Sequence, residues 1–188
     1  MHRQELLDLL ARHRPRFMEE AAFVDRARAF VERHPDCFHR DLWPAHVTGS
    51  AWVVNPDRSR ALLLHHRKHG RWFQPGGHAD GEADIVAVAL RETSEESGIA
   101  AERIRLVNGG IFDLDIHRIP DGQPGPAHDH IDVRFLVEID DRLPVPGNDE
   151  SHEVRWVPLG QVARFNSNRS TFRMVEKTRR LRRQFDYA

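Results

Sequence analysis

Three glutamates, Glu92, Glu95 and Glu96, recur at positions i, i+3 and i+4. On a helix that spacing gathers them on about a third of the circumference. Like charges at this spacing repel by about 0.2–0.5 kcal/mol per pair. A hard divalent cation turns such crowding to use. Mg²⁺ takes oxygen ligands, often one or two carboxylates plus the phosphates of a substrate. Immediately upstream runs Gln74-Pro75-Gly76-Gly77-His78-Ala79-Asp80-Gly81-Glu82. A glycine pair lets the backbone approach a ligand closely. Gly98 suits a left-handed residue at the helix end, with Ile99 packing back on the last turn. A Glu-Glu pair alone describes many solvated helix faces. A glycine loop feeding an acidic helix face argues instead for a cation site.

These residues resemble the Nudix box: glycine, five residues, glutamate, seven residues, Arg-Glu, an apolar residue, any residue, Glu-Glu, any residue, glycine, an apolar residue. Arg91, Glu92, Glu95, Glu96, Gly98 and Ile99 match in register, and Thr93 stands where an apolar residue is usual. The loop is displaced by one position. Counting back from Arg91 puts the early glycine on Gly77 and the early glutamate on Ala83, whereas counting from Gly76 reaches Glu82. The resemblance implies an α/β/α sandwich around a mixed sheet and water attack on a phosphorus of a nucleoside diphosphate derivative. It implies Glu95, Glu96 and the carbonyl of Gly76 as metal ligands. Glu92 would bind metal or act as general base, and Arg91 would orient loop and carboxylates. Mg²⁺ is the implied cofactor, with Mn²⁺ as a substitute. Glu82, or Asp84 in its place, would brace the loop. A further acidic ligand is expected from a loop before a strand carrying a tryptophan. Glu150 and Glu153 precede Trp156, and Glu150 is preferred because it lies in the loop.

Thirteen histidines are present, and many fall near predicted loop and strand ends: His65, His66, His69, His78, His117, His128 and His130. His128-Asp129-His130 places two imidazoles on one side if extended. Neutral imidazoles are common transition-metal ligands. His78, His128 and His130 are therefore expected to contact substrate, and a second metal is a further possibility for the cluster. Hydrogen-bonded residues of a polar cleft are the plainer alternative. Trp43, Trp52, Trp72, Phe112 and Phe135 are candidates for stacking on a base but suit the core better. The run Lys177-Thr178-Arg179-Arg180-Leu181-Arg182-Arg183 reads as a solvated basic face, with Phe172, Val175 and Leu181 on its apolar side.

The elements that must position these groups can be read from periodicity. Helices are predicted over residues 2–14 and 16–34, broken at Pro15. Strands over 47–54 and 61–66 flank Asn55-Pro56-Asp57 and read as a hairpin. Residues 74–83 read as a loop and 84–97 as a helix. Further strands are predicted over 103–107, 111–117, 131–139 and 153–158, with loops at 120–127 and 143–149, and a last helix over 169–185. This order favours an α/β sandwich. Residues 1–40 form an N-terminal helical extension on a core domain of 41–188.

A chain of 188 residues, 39% hydrophobic and 30% charged, has the composition of a soluble globular protein. The N-terminus lacks a signal-peptide pattern, no apolar run approaches a membrane span, and a single cysteine, Cys37, excludes an internal disulfide. A cytoplasmic location is expected. The net charge of −1 gives no general attraction to nucleic acid. The expected partner is a small-molecule diphosphate, and a homodimer is possible. Two rival functions are a non-catalytic nucleotide sensor and an isopentenyl-diphosphate isomerase. The first is expected to lose box carboxylates, and the second needs a cysteine near its alkene, where Cys37 does not lie.

Overall fold

The computed structural model describes residues 2–122 and 125–185. The predicted loop at 120–127 therefore falls partly outside the described residues. Helices α1 (Gln4–Arg12) and α2 (Met18–Arg33) are separated around Pro15. Leu6, Leu9 and Leu10 of α1, and Val24, Ala27 and Val31 of α2, repeat at helical spacing and are buried. Seven strands follow in one mixed sheet: β1 (Ala45–Val54), β2 (Arg60–His66), β3 (Arg71–Phe73), β4 (Gly76–His78), β5 (Arg105–Ile119), β6 (His128–Glu138) and β7 (Ser151–Pro158). Helix α3 (Ile85–Ser97) lies between β4 and β5, and α4 (Arg169–Phe185) ends the described chain.

The sheet order is β3-β2-β1-β6-β5, with β4 paired to β1 and β7 to β2. Strands β1 and β6 run parallel from Ala45 opposite Asp129 to Val54 opposite Glu138. Side chains alternate between the faces. Odd-numbered residues of β1 face α3: a Cβ on Gly49 would sit 3.0 Å from Ile85 O and from Val88 Cγ1. Even-numbered residues face α4, where Trp52 Nε1 donates to Thr178 Oγ1 at 2.9 Å. The molecule is thus the α/β/α sandwich around a mixed sheet that the sequence suggests. Helices α1 and α2 join the buried cluster of Val47, Ile85, Val88 and Leu114. No helix among the described residues is long and apolar enough to cross a membrane.

Five local expectations are corrected. The hairpin of β1 and β2 pairs only at Val54 and Ala61, because β4 takes the same edge of β1 over Thr48–Ser50. The loop at 74–83 contains that short strand. The two strands expected on either side of Asn108-Gly109-Gly110 are one, β5. Its register against β6 shifts between Leu106 and Ile111, and Gly109 takes φ +64°. A bulge absorbs the glycines without ending the strand. On α4, Phe172 is 57% exposed, whereas Met174 and Val175 are buried. The basic run also divides: Lys177 is buried and Arg179 and Arg182 are exposed.

Candidate active site

Helix α3 starts where Asp84 accepts from Ala87 N at 3.0 Å, and it stops at Gly98, whose φ is +73°. Both ends follow from residue type, since aspartate caps free N–H groups and glycine takes the left-handed conformation without a Cβ penalty. Thr93, at the box's apolar position, is fully buried and its hydroxyl donates to Ala89 O at 2.7 Å. The helix can therefore pack as though the residue were apolar.

The loop meets the acidic face at two glycines. Gly76 N donates to Glu96 Oε2 at 2.8 Å. A Cβ on Gly77 would lie 2.5 Å from Glu92 Cδ, so any larger residue there would displace the carboxylate. Glu96 is 4% exposed. Burial, joined by the charges of Glu92, Glu150 and Glu95, pushes its carboxyl up to about 8, against the Gly76 hydrogen bond. Glu92 is also raised, chiefly by burial, although Arg91 opposes this. Glu95 is exposed. Arg91 lies 2.8 Å from Glu92 and 3.2 Å from Glu95, and donates to His78 O at 3.4 Å. It thereby ties β4 to two carboxylates.

Glu150 stands in the loop before β7, and its charge raises both Glu92 and Glu96. Its backbone is held by Asn148 Oδ1, which accepts from Glu150 N, and by Arg67 N, which donates to Glu150 O. Glu153 lies on β7 and accepts from Arg155 at 2.6 Å. Glu82 Oε1 accepts from Asp84 N at 2.9 Å, a bond within the loop. The loop's other ties come from the segment after α2, which motif counting does not reach. Arg40 pairs with Asp80 through two hydrogen bonds, and Gly81 N donates to Phe38 O at 3.0 Å. Asp80 takes φ +51° and Gly81 φ +90°, which accommodates the additional residue before Arg91.

Gly76 and His78 of β4 oppose Ser50 and Thr48 of β1 and face the other side of the sheet. There a set of imidazoles converges. The ring of His46 lies 5.2 Å from that of His78, 4.9 Å from His128 and 4.8 Å from His130. His128 Nε2 and His130 Nε2 are 3.2 Å apart, and the His117 ring is 5.4 Å from that of His130. The structure brings together the predicted His78, His128, His130 and His117 and adds His46, whose sequence signal is only its place on a strand parallel to β6. His65, His66 and His69 lie elsewhere, around β2 and β3; His65 stacks on Trp72.

Beside the histidines runs a buried polar network. Asp132 accepts from Ser50 Oγ at 2.6 Å and from Arg134 Nε at 2.7 Å. Arg134 reaches Asp113 and Asp115, both at 3.3 Å. Arg173 of α4 bonds Asp113, Asp115 and Glu19, and Lys177 bonds Glu20 and Asp113 at 2.6 Å. Burial opposes the charge on Asp115, but His117, Arg134 and Arg173 hold its carboxyl well below the usual range. This network locks α2 and α4 onto the sheet and fixes the floor beside Ser50.

A family model described as NUDIX domain matches residues 44–178. The chain belongs to the Nudix family. Among curated relatives, "Putative 8-oxo-dGTP diphosphatase 3" of Mycobacterium tuberculosis is 33% identical over 113 residues, 57% of this chain and 49% of that protein. The chain thus spans about half the length of this relative. The mouse "Bis(5'-nucleosyl)-tetraphosphatase [asymmetrical]" is 28% identical over 112 residues, 57% of this chain and 68% of its own length. Among solved structures, a C. elegans Ap4A hydrolase binary complex superposes with a TM-score of 0.58 at 17% identity, covering 72% of this chain and 96% of that one. That likeness shows the Nudix fold. Residues 2–43, with α1 and α2, precede the matched domain.

Proposed function

We propose that this Nudix domain hydrolyses a diphosphate linkage in a nucleoside diphosphate derivative. The observation that carries this reading is Glu96, a buried carboxyl facing Glu92 and Glu150 with only one backbone N–H against it. Such a group is poorly accommodated alone and well accommodated by a hard cation. The all-oxygen donor set suits Mg²⁺, with Mn²⁺ as a substitute. Glu95, Glu96, Glu150 and the Gly76 carbonyl would hold it. When bound, the ion neutralises the diphosphate and lowers the pKa of the attacking water. Glu92 is half-buried with a raised pKa, which suits a base that accepts a proton from that water. Arg91 keeps Glu92 and Glu95 in place through its ties to both. Glu82 steadies the start of α3 through Asp84 N. Residues His78, His128 and His130 are assigned to the substrate wall, because β4 carries both Gly76 and His78. The named relatives support a nucleotide substrate and leave its class open. The presence of Glu92, Glu95 and Glu96 supports an enzyme over a nucleotide sensor.

Phosphate release across nucleotide sugars, ADP-ribose, CDP-alcohols, nucleoside triphosphates and diphosphorylated isoprenoids, with Mg²⁺ or Mn²⁺, tests the proposal. Wild-type protein should release phosphate from at least one nucleotide substrate, after a phosphatase step where needed, and EDTA should abolish this. Glu96→Gln should lose nearly all turnover; full activity in that variant would refute the assignment.

A further inference from the structure

We propose that His46, His78 and His130 form a second cation site, for a borderline transition metal of the Zn²⁺ class, distinct from the carboxylates of α3. One ring nitrogen from each lies within 4.8 Å of the others. Around a tetrahedral ion with Zn–N of about 2.0–2.1 Å, ligand nitrogens sit roughly 3.3 Å apart. Modest side-chain rotations would close the difference, and His78 and His130 are only half-buried. His46 is 1% exposed, and its Nε2 has no hydrogen-bond partner among the described residues. A stranded buried nitrogen is destabilising. A metal ion would engage its lone pair. Strands of different origin supply the set: His46 from β1, His78 from β4 and His130 from β6, adjacent in the parallel register where His46 faces His130.

The donor chemistry separates this site from the acidic one. Imidazole nitrogens favour Zn²⁺, Co²⁺ or Ni²⁺, whereas carboxylate and carbonyl oxygens favour Mg²⁺. Backbone or imidazole contacts orient the set from behind. His46 Nδ1 lies 3.5 Å from Leu42 O, and His128 Nε2 lies 3.2 Å from His130 Nε2. Trp43 closes one side, its ring 4.7 Å from that of His128. Three protein nitrogens leave a fourth position open, the arrangement of ions that also take water or substrate. His78 and His130 would then meet a phosphate through the ion, with the buried His128 backing His130.

The test uses the full chain, purified without a polyhistidine tag and stripped with chelator. Zinc content after equilibrium dialysis should be stoichiometric, and added Co²⁺ should develop a visible absorption band. The double variant His46→Gln/His130→Gln should lose both signals, with folding checked by near-ultraviolet circular dichroism. Losing an outer partner of a metal site already costs roughly 10–100-fold, so the half-buried His78→Gln variant, which spares the core, should weaken uptake at least as much. Glu96→Gln should bind zinc as wild type does. That control keeps this proposal separable from the hydrolase reading, which predicts loss of turnover there. Absence of stoichiometric uptake by wild type, retention by folded histidine variants, or loss in Glu96→Gln would overturn the proposal.

Discussion

Replacing Glu96 by glutamine keeps the side chain's shape and an oxygen to accept from Gly76 N, while removing a buried negative charge. In the metal-free fold the carboxyl moves from an ordinary 4.5 up to about 8. Between those values the folded chain holds a proton that the unfolded chain has lost. Wild-type stability therefore falls as pH rises through this window, and is least penalised below it. At 1.36 kcal/mol per tenfold shift, the penalty is on the order of 3 kcal/mol at pH 7, under about 1 at pH 5, and largest above pH 8. Glutamine never pays it, but its stranded amide N–H costs about 1 kcal/mol. The variant should thus gain about 2 kcal/mol at pH 7 in EDTA. For a domain of this size that is roughly 4–8 °C in Tm. Thermal melts of both proteins at pH 5, 7 and 9 measure the difference directly. The gain should shrink to nothing or reverse at pH 5 and grow at pH 9. Added Mg²⁺ should raise the Tm of wild type and leave the variant unmoved. A variant that melts lower at every pH, or a difference independent of pH, would refute the reasoning that Glu96 is a carboxyl kept in an unfavourable place for a cation.

Asp113→Asn should be strongly destabilising, because Arg134, Arg173 and Lys177 all lose a buried partner. A loss of about 3–5 kcal/mol is expected for breaking such a pair, read as a lowered urea midpoint with the slope unchanged. Gly77→Ala should leave the secondary structure intact and cut metal-dependent turnover sharply, since its Cβ would displace the Glu92 carboxylate 2.5 Å away. Circular dichroism alongside phosphate release separates these effects, and wild-type kinetics in the variant would count against the close packing of loop and helix.

The acidic helix α3 was legible from the chain because its information is local. Glutamates at i, i+3 and i+4 share a face on any α-helix, Asp84 and Gly98 mark its ends by residue type, and the glycine loop precedes it in sequence. The resemblance to the Nudix box rests on the same contiguous stretch, and it carried the fold class with it. What the chain alone could not say concerns contacts between distant segments. The displaced loop takes its ties from Arg40 and Phe38 because a segment after α2 folds back over it, and no count of motif spacing reports that. The basic run of α4 looked solvated, yet its Lys177 turns inward, as does Arg173 one turn before the run, because β5 and α2 present Asp113, Asp115, Glu19 and Glu20 to that face. His46 carried no mark of its own. Only the parallel pairing of β1 with β6 sets it across from His130, and only the insertion of β4 on the other edge of β1 adds His78. Local periodicity determines which face a residue occupies. Strand pairing decides which faces meet, and the histidine cluster exists only at that second level.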